Sequence, residues 1–446
     1  MTTDVMRRPR FAERVIFTIT RPDVIFLTFA AFILLFYGIA PAALSFYMTG
    51  GGYYAKVALL APIAVAGLFI GYQISLLDGQ ITGGRKVYVN STVFHWAVWI
   101  SFVLYAVVVF ATASSIPFIS ALLGANTEQL SVQRGNFLKL RQGFQASFQY
   151  IDTIYIGFLL PYSLALMVLE RRKGWPLAFV LFLLYSVSSL QKALFIRVLA
   201  PLGFLAGQQK VKRPLQFVSL IAIGAALILV LNVALERGLN SEPPPAAPTQ
   251  EVPVAPTSSA AQQGTEQPDA ASLGILINGY FDPLYIPSGV VDQIVWRTFA
   301  VPIFTAADAM VVFDDNFDGQ LLWGATSTPI AALTGRNRIN YDATVFAHQW
   351  GSSEIGRANS VFFTELFVNF GWVGVILGSI FIGLTFRWFS ISSDFAFKSL
   401  ITIYVIALFS AGVIGILFSN GFIFLFLVGL FGHISRSPRA APKGAE

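Results

Sequence analysis

Residues able to do chemistry concentrate in one stretch, TGRNRINYDATVFAHQWGSSEIGRANSVFFTELFVNFGWVG, which carries Arg336, Arg338, Asp342, His348, Glu354 and Arg357, with Glu365 a little further on. The planar fork of arginine suits phosphate and diphosphate oxygens. A carboxylate or imidazole beside such a group can take a proton from a hydroxyl. Gly335, Gly351 and Gly356 let the backbone turn sharply or approach a ligand closely. The competing reading is a solvated loop with incidental ion pairs.

A second group is Lys192 and Arg197, in SSLQKALFIRVLAPLGF. Lys192 either snorkels to the membrane surface or assists Arg197, which lies further along an apolar stretch where a charge needs a cavity or a partner. Arg297 raises the same question: it joins that site or pairs with Asp292 or Asp308. Glu365 reads as a catalytic carboxylate or as a helix-start acid favoured by the dipole. Tyr341, Trp350 and Trp323 could stack on sugar rings or belong to a membrane-interface belt. Asp314, Asp315 and Asp318 lack the EF-hand spacing, and no metal is assigned to them. No nucleotide-binding or nucleophile-elbow pattern stands in a strand-turn-helix context.

The elements that must hold these residues are set by composition. Of 446 residues 55% are hydrophobic and 12% charged, and the mean hydropathy is +0.68. Soluble domains carry about 25% charged residues, so a soluble enzyme is excluded in favour of an all-α polytopic membrane protein. Cys is absent, which removes disulfides, thiolate metal sites and cysteine nucleophiles. Apolar runs of about 20 residues predict spans near Asp23 to Leu44, Ala55 to Leu77, Val93 to Ala113, Gln149 to Leu169 and Leu215 to Leu235. Two more come from Trp175 to Gly207, turning near Ser188, Ser189 and Gln191. Val361 to Phe386, Leu400 to Ile416 and Leu417 to Ile434 complete about ten.

Basic residues set the orientation. Arg7, Arg8, Arg10, Arg14 and Arg21 precede the first span, Arg85 and Lys86 follow the second, and Arg171, Arg172 and Lys173 follow the fourth. The net charge of +6 is therefore read as a topology signal, with both termini cytoplasmic and no nucleic-acid partner. Arg134, Lys139 and Arg141 face outward against this trend and call for an anionic substrate or lipid headgroups. The expected organisation is a membrane bundle over 1–235, a disordered Pro/Ala-rich linker over 236–272, an extracytoplasmic functional insert over 273–360, membrane helices over 361–434 and a cytoplasmic tail over 435–446. The apolar stretch Val290 to Phe313 is read as interfacial or re-entrant. If it crossed, Arg436, Arg439 and Lys443 would fall outside.

The segment RANSVFFTELFVNFGWVGVILGSIFIGL resembles the C-terminal signature of Wzy-type oligosaccharide repeat-unit polymerases, through Ala358, Asn359, Glu365, Asn369, Phe370, Gly371 and Gly374. The stretch VVDQIVWRTFAVPIFTAADAMVVFDDNF resembles that family's insert helix with its single arginine, here Arg297. The resemblance covers about the last third of the chain, and the Pro/Ala-rich linker departs from it. It implies a glycosyltransferase of the bacterial cytoplasmic membrane that acts on polyprenyl diphosphate-linked oligosaccharide at the outer face, without cofactor or metal. A chain-length regulator protein is an implied partner. The base falls on Glu354, His348 or Asp342, with Glu365 next. Diphosphate or glycan contacts fall on Arg336, Arg338, Arg357, Arg297, Arg197, Lys192, Asn359 and Tyr341. An O-antigen ligase-type transferase and a non-enzymatic transporter are the alternatives.

Overall fold

The computed structural model describes residues 11–48, 50–76, 78–83, 86–125, 127–138, 141–190, 192–211, 279–285, 289–351, 358 and 361–435, with single positions at 219, 224, 226 and 287. The principal elements, in chain order, are α1 (Pro22–Leu44), α2 (Gly51–Gln73), β1 (Val87–Asn90), α3 (Ser91–Thr112), α4 (Gly143–Leu169), α5 (Trp175–Ser188), α6 (Phe195–Gly207), α7 (Val291–Phe317), α8 (Tyr341–Trp350), α9 (Phe362–Ile391), α10 (Phe395–Phe409), α11 (Phe422–Phe431) and β2 (Gly432–Ser435). Among them α1 to α4, α7 and α9 are long and apolar enough to cross a membrane, and α5, α6, α10 and α11 are shorter apolar helices. The chain is an all-α polytopic membrane protein, as a backbone that must satisfy its own hydrogen bonds in lipid requires. The expected span Leu215 to Leu235, the linker and the tail beyond Ser435 lie outside the described residues.

Local signals explain where these helices begin. Pro22 stands in the first turn of α1, where its missing N–H goes unneeded, and Asp23 complements the dipole. Asn90 caps α3 by accepting from the Thr92 amide at 2.8 Å. Asp394 does the same at the start of α10 for Ala396 and Phe397.

One face of the bundle is marked by a short parallel strand pair, Val87 opposite Gly432 through Asn90 opposite Ser435. On this strand face Arg387 donates to Asp78 at 2.8 Å and Tyr162 to Asp394 at 2.7 Å. The Arg387 hydrogen bond holds the Asp78 carboxyl below its ordinary range, against a smaller opposing effect of burial. The opposite, insert face carries the turn between α1 and α2. Between the faces, α2 and α9 run side by side with backbones in contact. A Cβ at Gly71 would strike the Ile380 carbonyl, and one at Gly383 the Leu68 carbonyl. Small residues permit that approach, the usual way membrane helices pack. Phe26, Phe29, Phe386, Tyr404, Phe389 and Phe426 fill the core around this crossing.

Helix α9 is not straight. Gly371 has φ 65° and ψ −156°, a conformation open essentially to glycine alone. A Cβ at Gly374 would meet the Leu366 carbonyl and Phe370, and one at Gly378 would meet the Leu366 side chain. In an unbroken helix residues 366 and 378 would stand about 18 Å apart. The segment 362–370 therefore folds back antiparallel to 372–391. Phe362 lies deep, against Phe29, and Gly371 forms the turn at the insert face.

Helix α7, with 27 residues and thus about 40 Å long, packs at both ends of its length on the insert face. Trp296, Ala300 and Phe304 pack with Leu44 and Tyr54, Phe299 stacks on Phe36 at 5.0 Å, and Asp314 reaches Lys56 at 3.4 Å. It lies across the insert-face ends of α1 and α2. The last two expected spans divide earlier than hydropathy suggests: the first ends before an extended Ala411 and not at Ile416, the next long helix starts at Phe422, and the Glu365 carboxylate lies beside Gly412.

Candidate functional site

The fold-back 362–370 brings Glu365 under the insert face, about 9 Å below the turn at Gly371 by helical rise. Its carboxylate accepts from the Ile414 amide at 3.1 Å and from the Thr326 hydroxyl. Gly412 presses on it so closely that a Cβ there would overlap the carboxyl group. Thr326 is in turn oriented by Asn369, whose Nδ2 donates to the Thr326 hydroxyl at 3.0 Å and to the Glu365 carbonyl at 2.9 Å. The Asn369 Oδ1 accepts from the Gly324 amide at 2.9 Å. Because the helix breaks at Gly371, the carbonyls of Val368 and Asn369 turn outward, to the amides of Leu322 and Trp323, at 3.0 and 2.9 Å. One fully buried asparagine thus ties the fold-back to the loop after α7.

Around this anchor the residues expected from the sequence divide into neighbourhoods. Asp342 opens α8, is exposed, and lies within electrostatic reach of Glu365. Its backbone carbonyl accepts from the Ala358 amide at 3.0 Å. Arg336 and Arg338 are exposed in the turn before α8. His348, exposed on the last turn of α8, is felt by Asp308 of α7, which accepts from Gln349 at 2.8 Å. Helices α7 and α8 are thereby stitched along their length. Arg297 is exposed within the π-turn Trp296–Ala300 of α7, a kind of irregularity common at functional sites. Of its two possible acidic partners, Asp292 accepts from Tyr285 at 2.8 Å, and Asp308 is the carboxylate bound by Gln349.

Other expected residues stand elsewhere. Tyr341 is buried, not open to a ligand: its hydroxyl donates to the Ala309 carbonyl and its ring packs on Phe317. Burial, then the charges of Asp342 and Asp314, hold that phenol well above its ordinary range, so it serves as a donor. Arg197 belongs to the first bundle, where its charge acts on Asp152, a buried carboxylate that accepts from Tyr185. Glu354, Arg357 and Asn359 lie outside the described residues, as does the side chain of Lys192.

Sequence reasoning passed over Lys56. It sits one turn into α2, where a lone lysine reads as a snorkelling residue, yet its Nζ is 3.4 Å from Asp314 and 4.9 Å from the Phe367 ring centroid. It joins α2, α7 and the fold-back by charge and by cation–π attraction. Among the described residues no three histidine, aspartate or glutamate side chains converge as metal ligands. What the face offers is exposed guanidinium groups, an imidazole and two carboxyls at unequal depth. That set can bind an anion and accept a proton at neighbouring points.

No protein-family model matches the chain, and neither a curated protein nor a solved structure matches it.

Proposed function

We propose that the chain is a polyprenyl-diphosphate-dependent glycosyltransferase that polymerises lipid-linked oligosaccharide repeat units at the outer face of the bacterial cytoplasmic membrane. The observation that carries this reading is the fold-back 362–370, which holds the Glu365 carboxylate just beneath a face bearing Asp342, His348, Arg336 and Arg338. In the proposed reaction a hydroxyl of the acceptor glycan attacks the anomeric carbon of the donor. The new C–O bond forms as the bond to diphosphate breaks. The hydroxyl proton passes to a base, and the diphosphate leaves as an anion.

Asp342 is the exposed member of the Asp342/Glu365 pair and is assigned as the base, with His348 the next candidate. Glu365, already bound by Thr326 and Ile414, would set the field around Asp342 and keep the loop in place. Arg336 and Arg338 would stabilise the departing charge, where electrostatic preorganisation contributes most. Because the carrier already supplies an activated leaving group, the step as drawn uses no other reactant. Arg336→Ala and Arg338→Ala are expected to abolish polymer while the protein remains in the membrane. Normal polymer in both variants would defeat the assignment.

A transporter of lipid-linked glycan is the second reading. The break at Gly412 lies against the Glu365 carboxylate, as discontinuous helices do at transporter sites. Lipid-linked single repeats accumulating in the outer leaflet of a deletion strain would favour the polymerase. Their retention in the inner leaflet would favour transport.

A further inference from the structure

Among the described residues Trp323 is the one large aromatic on the insert face with a positive φ. Its φ is +51°, a left-handed conformation that is unfavourable for a bulky residue and rare outside turns and functional sites. Trp323 and Gly324 are the central residues of a tight turn closed by the Ala325 amide on the Leu322 carbonyl at 3.0 Å, and the fold-back holds that turn from the other side. The Trp323 amide donates to the Asn369 carbonyl at 2.9 Å, and the next amide, of Gly324, donates to the Asn369 side chain at 2.9 Å. Gly324 itself has φ +81°. On the other side Leu322 is buried and bonded to the Val368 carbonyl. Three consecutive residues are thus fixed to 368–369, and the middle one presents its side chain outward, 51% exposed. Among the described residues the ring stacks on no other aromatic side chain.

An interfacial anchor needs no such fixing. Tryptophans of a membrane belt work in many orientations, because their partner is a disordered headgroup layer. An exposed indole carried on a fixed backbone suits a ligand with a flat apolar face of its own, and a pyranose ring has one. The surroundings fit a sugar as well. Asn316, Asp318 and Gln320 are exposed just before the platform, and Thr326, three residues after it, binds Glu365. Aromatic surface with a few placed polar groups is the usual makeup of a small-molecule site.

We infer that Trp323 is a sugar-stacking platform that seats one pyranose ring of a glycan on the turn whose Thr326 binds Glu365. The inference rests on the glycan-directed reading of the site but is testable without polymer. Full-length protein carrying 5-fluorotryptophan, in nanodiscs, gives a Trp323 fluorine resonance assigned by its loss in Trp323→Phe. Cellotetraose, maltotetraose and the N-acetylglucosamine tetramer are the probes. The expected result is a saturable shift of that resonance with at least one tetrasaccharide, unchanged when phosphatidylglycerol is replaced by phosphatidylcholine. Sugar-observed saturation transfer should then show that sugar binding roughly threefold to tenfold more weakly to Trp323→Leu, the range of an aromatic contact. A resonance that follows the headgroup and ignores all three sugars would make Trp323 an interfacial anchor and overturn the inference. Sugar binding that persists while a strain lacking the protein makes normal polymer would leave the platform standing and remove the polymerase reading alone.

Discussion

Replacing Asn369 by Ala should loosen the fold-back and the loop above it together. The side chain makes three hydrogen bonds, to the Gly324 amide, the Thr326 hydroxyl and the Glu365 carbonyl, at 2.9, 3.0 and 2.9 Å, and is completely buried. Hydrogen bonds between membrane helices average about 0.6 kcal/mol and reach about 1.7. Three of them give about 2–5 kcal/mol, and a buried amide and carbonyl left without partners push the figure toward the upper end. At about 2 °C per kcal/mol, the lower end of the usual range for larger domains, the melting temperature of the solubilised protein should fall by about 4–10 °C. Thr326→Val removes one of these bonds and the hydroxyl to Glu365, and should show about a third to a half of that fall. Thermal unfolding by intrinsic fluorescence in one detergent, with wild type and both variants side by side, makes the comparison. An Asn369→Ala protein that melts with wild type would refute the claim that this side chain holds the loop to the fold-back.

Three further outcomes follow from the same geometry. Gly371→Ala places a Cβ on a φ of 65° with ψ −156° and should destabilise by about 1–3 kcal/mol, seen as a lower melting temperature. Gly412→Ala drives a methyl into the Glu365 carboxylate and should cost about 1–3 kcal/mol, but much less in an Glu365→Ala background. Equal costs in both backgrounds would show that the two groups do not meet. At the strand face, the Asp78 carboxyl titrates below its ordinary range because of Arg387. Its contribution is present above the unfolded carboxylate range and lost as pH falls through the lowered value. Asp78→Asn should therefore melt slightly below wild type at pH 7, and the gap should narrow as pH falls below the ordinary carboxylate range.

The membrane helices were legible because an apolar run of about 20 residues has few other uses, and basic residues flank the runs. The break at Gly371 was not, since FGWVG is as apolar as the helix around it and a helical glycine reads the same as one at φ 65°. The division at Ala411 and Gly412 was hidden as well: the group that Gly412 meets there is Glu365, 47 residues away in sequence. Tyr341 looked like a ligand contact because it stands among charges, but its partner is the Ala309 carbonyl of α7. Lys56 carried no local signal, because its acidic partner Asp314 comes from another helix. Asp342, His348, Arg336 and Arg338 stand out in the sequence because they are close along the chain. Which carboxyl lies beneath which was a matter of tertiary packing.

The proposed reaction requires the residues of the insert to lie on one side of the membrane, the outer one. The absence of cysteine allows single cysteines to be placed at Leu284, before α7, at Ser327, after it, and at Tyr88 in β1, and labelled in intact cells with a membrane-impermeant maleimide. Leu284→Cys and Ser327→Cys should label from outside, and Tyr88→Cys only after lysis. Labelling of Leu284→Cys and Ser327→Cys from opposite sides would mean that α7 crosses, and labelling of both only after lysis would put the site in the cytoplasm; either result contradicts a polymerase acting on the outer face.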